Sequence, residues 1–190
     1  MILRTLLFTS DAIFSGLKIA VPLLFTLHLF GFYRSRPVMQ NLITGANVLL
    51  LMGGVMFSLA MIISISNTWL NGDEFGKSAM IDMISGPKWF QFVLPVLVFG
   101  LLPHAMWVFK FRHSVQASMG IVMAWFLSYF TIVYFSYPPK NIFSFPIERL
   151  DFSVTDFYKK MVLFICLLAA VCLFISIQRK RKRMKRKSLI

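Results

Sequence analysis

The sequence predicts an all-α integral membrane protein, a bundle of five transmembrane helices with its N-terminus outside and its C-terminus in the cytoplasm. Of its 190 residues, 58% are hydrophobic and 14% are charged, whereas soluble domains are about 45–50% apolar and about 25% charged. Mean hydropathy is +0.74. Two uncharged runs, 89–109 and 115–135, are each long enough to cross a bilayer core about 30 Å thick as a helix.

The first span is expected over about 13–33, after a membrane-interfacial segment at 1–16. Asp11 interrupts the apolar core that a signal peptide needs, so this segment is not interpreted as one. Asp11 and Lys18 are seven residues apart and share a helix face. An ion pair or snorkelling at the membrane edge accounts for them. Because charges within spans are costly and often functional, proton or substrate handling is the alternative.

The second span is expected over about 41–65, and a polar loop over 66–88 follows it. Gly54 and Ser58 form a small-xxx-small step, a pattern that allows another helix to approach closely. We therefore expect this side of the second helix to pack against a neighbour.

The third span, about 89–109, contains Pro95 and Pro103. Each proline removes a helical hydrogen bond and frees a backbone carbonyl. Freed groups at membrane depth need partners, so we expect this helix to be kinked and packed inside protein.

The fourth span, about 115–135, carries Gly120, Ala124 and Ser128 at intervals of four residues. This seam is expected to contact another helix closely. Trp125 is expected to lie off the seam.

The fifth span is expected over about 157–177, followed by a basic cytoplasmic tail at 179–190. Ser153 and Asp156 are spaced as a capping box at its start. Lys159 and Lys160 are expected to snorkel where the helix enters the membrane.

Basic residues predict the orientation. The first and third turns carry basic residues without acids, and eight more lie within 179–187. Alternation over five spans brings both turns and the tail to one face, which the positive-inside rule makes cytoplasmic. The residues expected to set topology and to meet lipid headgroups are Arg34, Arg36, Lys110, Arg112, Arg179, Lys180, Arg181, Lys182 and Arg183.

The net charge of +13 is concentrated in the tail, and anionic lipids are its expected partners. Each basic residue near an anionic surface contributes about 1 kcal/mol. Docking to a protein partner is the alternative. Nucleic acid is not expected, because no aromatic residues interleave with the basic ones for stacking.

Two histidines are candidates for binding a cofactor. His28 and His104 each lie about five residues from the cytoplasmic end of a predicted span, and therefore at a similar depth of about 7 Å. With Trp107 they are candidates for a menaquinol or ubiquinol site, or for two axial ligands of a haem b. The structural alternative is that they hydrogen-bond freed carbonyls. His113 is expected to be solvated. No catalytic residue, zinc pattern or phosphate loop is predicted.

The pattern Pro103-x-x-Met106-Trp107-x-x-Lys110-x-Arg112 resembles the membrane subunits of the NrfD and polysulfide-reductase type, notably the quinol-interacting subunits of bacterial alternative complex III. The resemblance covers about 53–128. Those subunits have more spans in two bundles, so this chain corresponds to about one half. The resemblance implies an integral subunit of a quinol-oxidising complex in the bacterial inner membrane, with iron–sulfur or cytochrome partners.

Three hypotheses of function follow. The first is a membrane subunit of a multi-subunit respiratory complex, which scaffolds other membrane subunits and lines a quinol site. The second is a small transporter or insertase-like protein, with Asp11, Lys18 and the proline-kinked third helix lining a path. The sequence lacks the internal repeat that many transporters show. The third is a di-histidine cytochrome b anchor.

Overall fold

The computed structural model describes residues 2–31, 37–87, 89–136 and 153–187. Within these ranges 93% of residues are helical and none forms a strand. The described ranges contain seven α-helices: α1 (Ile2–Leu29), α2 (Pro37–Asn71), α3 (Glu74–Ser85), α4 (Phe90–Pro95), α5 (Phe109–Arg112), α6 (Val115–Ser136) and α7 (Val154–Lys187). Between α4 and α5 the chain forms a π-helix, Val96–Leu101, and then a 3₁₀-helix, Leu102–Trp107.

Five helical stretches of the described chain are long and apolar enough to cross a membrane. They are Ile2–Leu29, Pro37–Asn71, Phe90–Trp107, Val115–Phe135 and Val154–Arg181. The prediction of an all-α, multi-pass membrane protein is confirmed at this level. The orientation of the termini stays a prediction.

The N-terminal residues differ from expectation. Residues 2–16 are not a separate interfacial segment, because they form the first turns of the continuous helix α1. Ser10, Ala12, Ile13 and Phe14 are buried in the bundle, so tertiary packing carries the helix past Asp11. The charge of Asp11 therefore marks no boundary between an interfacial segment and a span.

The expected polar loop at 66–88 is also wrong in part. The second helix continues to Asn71, and α3 occupies Glu74–Ser85. Asp73 caps α3, since its carboxylate accepts a 2.8 Å hydrogen bond from the Gly76 amide. An acid in the first turn, Glu74, adds to this N-terminal signal.

The bundle is closed by direct contact between α1 and α7. A Cβ placed on Gly16 would overlap the ring of Phe164, which is itself buried. Asp11 and Lys160 pair on the same two helices. Asp11 contacts Lys160, and the later residue Gly16 contacts the later residue Phe164. Contacts therefore advance in the same direction along both helices, so α1 and α7 run parallel.

The third span is interrupted near its prolines, in agreement with the predicted kink. The expectation that it packs inside protein is not met within the described chain, because only 22% of this span is buried. In the π-helix the Leu102 amide donates to the Leu97 carbonyl, five residues earlier. The next carbonyl in this pattern, that of Val98, would need an amide from Pro103, which has none. The indole Nε1 of Trp125 donates to it instead, at 2.9 Å.

The predicted close approach at Gly54 and Ser58 is confirmed. A Cβ on Gly54 would lie 2.6 Å from Cβ of Pro103, and a Cβ on Gly100 would lie 3.2 Å from Oγ of Ser58. The second helix therefore packs directly on the broken segment.

The predicted seam of the fourth span is wrong at Gly120. A Cβ added to this glycine would have no neighbour within 4 Å among the described residues. Ser128 of the same seam is buried. Trp125, expected off the seam, is 1% exposed and stacks on Phe99 with ring centroids 5.3 Å apart. Trp125 faces the bundle interior because its indole donates to the Val98 carbonyl, which has no backbone donor.

The turn between the third and fourth spans is fixed by Asn47, a fully buried residue of α2. Its Nδ2 lies 3.0 Å from the carbonyl oxygen of Arg112, 3.1 Å from that of Ser114 and 3.4 Å from that of Phe111. This amide anchors the turn on the second helix.

The last helix extends well beyond the predicted span. It begins after Ser153, whose hydroxyl accepts a 3.3 Å hydrogen bond from the Asp156 amide, so the predicted cap is confirmed. It continues through Lys182 and Arg183 to Lys187. The basic tail is thus a helical extension of the fifth span as far as the structure describes it.

Candidate functional site

A cluster of charged residues lies where α1 and α7 begin to pack. The ammonium of Lys160 lies 2.8 Å from Oδ2 of Asp11 and 2.6 Å from Oδ2 of Asp156. Asp156 and Lys160 are one turn apart on α7, and Asp11 reaches them from α1. One cation is therefore shared by two carboxylates, which leaves this triad with one excess negative charge.

Lys18 lies deeper on α1 than the triad. Seven residues of helix place it about 10 Å below Asp11. Its ammonium lies 5.8 Å from the ring centroid of Phe99, on the π-helix. Within the described residues no carboxylate lies within 4 Å of this ammonium. A cation over an aromatic face gains about 0.5–2 kcal/mol, and Lys18 restores the overall charge of the cluster to neutral.

These groups share a cavity of about 450 Å³, which we call the charged cavity. It is open to the surface of the chain, where Asp11 and Lys18 are exposed. Its polar lining comes from Ser10, Asp11, Lys18, Asp156 and Lys160, and its apolar lining from Leu7, Phe8, Phe14, Phe57, Pro95 and Phe99. The cavity thus combines two carboxylates, two ammonium groups and an aromatic wall between four spans.

The aromatic wall is closely packed. Phe14 lies 5.2 Å from Phe99 and 5.0 Å from Trp125, measured between ring centroids. Because Trp125 also holds the Val98 carbonyl, the break in the third helix and the wall of the cavity are parts of one packed unit. A π-helical segment is a rare feature that often occurs at functional sites.

The candidates for a cofactor site have separate surroundings. His28 is partly buried, and its Nε2 lies 3.4 Å from the side-chain nitrogen of Gln116. His104 is partly buried, and its Nδ1 is buried with no hydrogen-bond partner among the described residues. Trp107 is 64% exposed. The charged cavity is lined by none of the three.

His113, expected to be solvated, is exposed but also tied to the second helix. Its Nδ1 lies 3.0 Å from Oγ1 of Thr44, and its ring packs edge-on against Phe109. Partial burial against these neighbours lowers its pKa below 6.5, and the nearby charges of Arg179 and Arg112 lower it further.

The predicted lipid and topology residues are placed as follows. Arg34, Arg36 and the side chains of Lys182 and Arg183 lie outside the described part of the chain. Lys110, Lys180 and Arg181 are exposed, whereas Arg112 and Arg179 are partly buried. The guanidinium of Arg112 donates to the Met106 carbonyl at 3.2 Å and to that of Trp107 at 3.4 Å.

Comparison with known proteins gives no relative. No protein-family model, curated protein or solved structure matches this chain. The resemblance to the NrfD type therefore stays a prediction, and function is inferred from the charged cavity.

Part of the charged cavity was predicted from the sequence. Asp11, Lys18 and the proline-kinked helix are predicted to line one path, and the structure brings all three to one cavity. Lys160 differs from its prediction, because it turns to Asp11 instead of snorkelling outward. The four-residue spacing of Asp156 and Lys160 was the available signal, because such pairs meet on a helix.

Proposed function

We propose that this chain is a small transporter-type membrane protein, and that the charged cavity binds a small anionic solute. One observation carries the proposal: the ammonium of Lys18 lines a cavity of a helix bundle, along a candidate span, without a carboxylate at ion-pair distance in the described chain. A lysine at the centre of a span costs about 2.5–3.5 kcal/mol on insertion. Such a cost is typically retained where the charge serves a substrate or a proton.

The broken third span supports this function. It contributes Pro95 and Phe99 to the cavity wall, and transporter sites are commonly built on discontinuous helices near the middle of the membrane. Lys18, about 10 Å below Asp11, lies towards such a depth.

The triad of Asp11, Asp156 and Lys160 acts in this proposal as the ionic closure above the site. Its shared cation holds α1 to α7 through contacts of 2.8 Å and 2.6 Å. An anion that competes for Lys160 weakens this closure and then passes to Lys18. Both steps use charges that the cavity already contains.

The proposal is tested by anion uptake into proteoliposomes. Potassium salts of acetate, succinate, glutamate and phosphate are presented isosmotically with valinomycin, so that entry of the anion causes swelling measured by light scattering. Wild type is expected to admit at least one of these anions faster than protein-free vesicles, and Lys18→Gln is expected to abolish that difference. Lys159→Gln, an exposed lysine outside the cavity, is the control. Equal rates for wild type and empty vesicles refute the proposal.

A second candidate is the predicted subunit of a larger membrane complex, of the respiratory class, with its quinol or haem b hypotheses. One observation favours it: only 6% of the apolar stretch of α7 is buried within the chain, against 39% of the apolar stretch of α1. Lipid or a partner helix covers this surface. Isolation of the native assembly in mild detergent, with an absorption spectrum for haem, distinguishes the two. A chain that migrates alone and carries no cofactor removes this candidate.

A further inference from the structure

A second cavity lies at the opposite end of the bundle, between α2, α5 and α7. It has a volume of about 890 Å³, and we call it the basic groove. Its rim carries Arg112, His113 and Arg179. Its walls are apolar side chains of α2 and α7: Val48, Met52, Leu167, Ala170, Val171 and Phe174.

The rim is cationic without a counter-charge. None of the described residues that line the groove is acidic. Arg112 is held in place by the carbonyls of Met106 and Trp107, and Arg179 is partly buried although it is charged. Guanidinium groups bind phosphate oxygens through parallel N–H bonds, so this pair matches a phosphate.

His113 adds a third polar group whose protonation the contacts define. Thr44 donates its single hydroxyl proton to the Gln40 carbonyl at 2.6 Å. The 3.0 Å contact between Thr44 Oγ1 and His113 Nδ1 therefore requires the proton on Nδ1. In the neutral ring Nε2 is then an acceptor, and protonation turns it into a donor for an anion.

We propose that the basic groove binds one anionic phospholipid, with its phosphate between Arg112 and Arg179 and an acyl chain along the apolar walls of α2 and α7. A basic pocket between spanning helices is typical of anionic-lipid binding. A free phosphate would satisfy only the rim and leave the walls uncovered. A second copy of the chain is disfavoured, because it would bring two strongly basic tails together. This inference does not depend on the transport proposal.

The test is lipid retention by the intact chain, measured by native mass spectrometry from detergent. Phosphatidylglycerol is expected to remain bound with one-to-one stoichiometry, and phosphatidylcholine is expected to be lost. Removing one basic residue near an anionic headgroup costs about 1 kcal/mol, so Arg179→Gln is expected to lower phosphatidylglycerol affinity about fivefold. Arg181→Gln, an exposed charge of the same helix outside the groove, is expected to have little effect.

A second pair of variants tests the apolar walls without changing charge. Ala170→Trp fills the groove and is expected to displace the lipid, whereas Ala169→Trp alters the adjacent exposed alanine, which does not line it. Equal losses in Arg179→Gln and Arg181→Gln overturn the proposal, because the tail then acts as a diffuse charge. Equal retention of phosphatidylcholine overturns it as well. Displacement by millimolar glycerol 1-phosphate, with no effect of Ala170→Trp, shows that the site recognises a free phosphate and overturns the lipid assignment.

Discussion

The hydrogen bond from Trp125 to the Val98 carbonyl is expected to stabilise the break in the third span. Trp125→Phe keeps an aromatic ring in the core but removes the indole donor that compensates for the missing amide of Pro103. An unsatisfied buried acceptor costs about 1–3 kcal/mol, and hydrogen bonds between spanning helices contribute about 0.6–2 kcal/mol. We therefore expect a loss of about 1–2 kcal/mol in the free energy of unfolding.

Pro103→Ala provides the matched compensation. It restores an amide at the position five residues after Val98, where the π-helical pattern needs one. The single Pro103→Ala variant loses the ring that packs on Gly54, at a cost of its own. In the double variant the new amide replaces the indole, so the two changes together are expected to cost less than their sum.

The assay is reversible unfolding in mixed dodecyl maltoside and SDS micelles, followed by far-UV circular dichroism. Trp107→Phe, at a 64% exposed position, is the control and is expected to unfold like wild type. A Trp125→Phe variant within about 0.3 kcal/mol of wild type, or strictly additive costs in the double variant, would refute the reasoning.

Three further predictions use the same unfolding assay. Gly16→Ala is expected to cost about 1–3 kcal/mol, because its methyl group meets the ring of Phe164; a neutral result shows that α1 and α7 are not in direct contact. Lys160→Met is expected to cost about 0.5–1 kcal/mol and Lys159→Met nothing measurable, since only the first holds two carboxylates; equal effects contradict the triad. The pKa of His113 is lower in the folded chain than the ordinary value of 6.5, so as the pH falls the unfolded chain binds this proton before the folded chain does. The free energy of unfolding is therefore expected to decrease as the pH drops from neutral through 6.5. His113→Gln is expected to lose this part of the pH dependence, and an unchanged profile refutes it.

The presence of five long apolar helices could be predicted because each depends on a local property, the length of an apolar run. Where each helix begins and ends could not, because capping and packing extend α1, α2 and α7 beyond the apolar runs. The break at Pro103 was equally local, since a missing amide is visible in the sequence. The side chain that replaces the missing donor could not be predicted from a local signal. Trp125 reaches the Val98 carbonyl from another helix, and its position on α6 gave only a preference for lying off a small-residue seam.

Charged and polar residues within the spans were the least predictable. Asp11 interrupts an apolar stretch in the sequence, yet it lies within α1, where its neighbours pack in the bundle and Lys160, far away in the chain, pairs with it. Asn47 in the second apolar run is a similar case, since its amide is buried to hold a turn more than sixty residues later. Such pairs are set by how helices rotate against each other, which a single sequence does not encode locally.

The charged cavity and the basic groove lie at opposite ends of α7, which contributes Lys160 to the first and Arg179 to the second. From Lys160 to Arg179, the rise of 1.5 Å per residue along α7 amounts to about 28 Å. This length matches a hydrocarbon core about 30 Å thick, so the triad and the basic groove fit the two faces of one bilayer. Lys18 then lies about a third of the way in from the triad's face. A single determination of which side carries Arg179 consequently shows on which side of the membrane the charged cavity lies, and the positive-inside rule predicts that it lies outside.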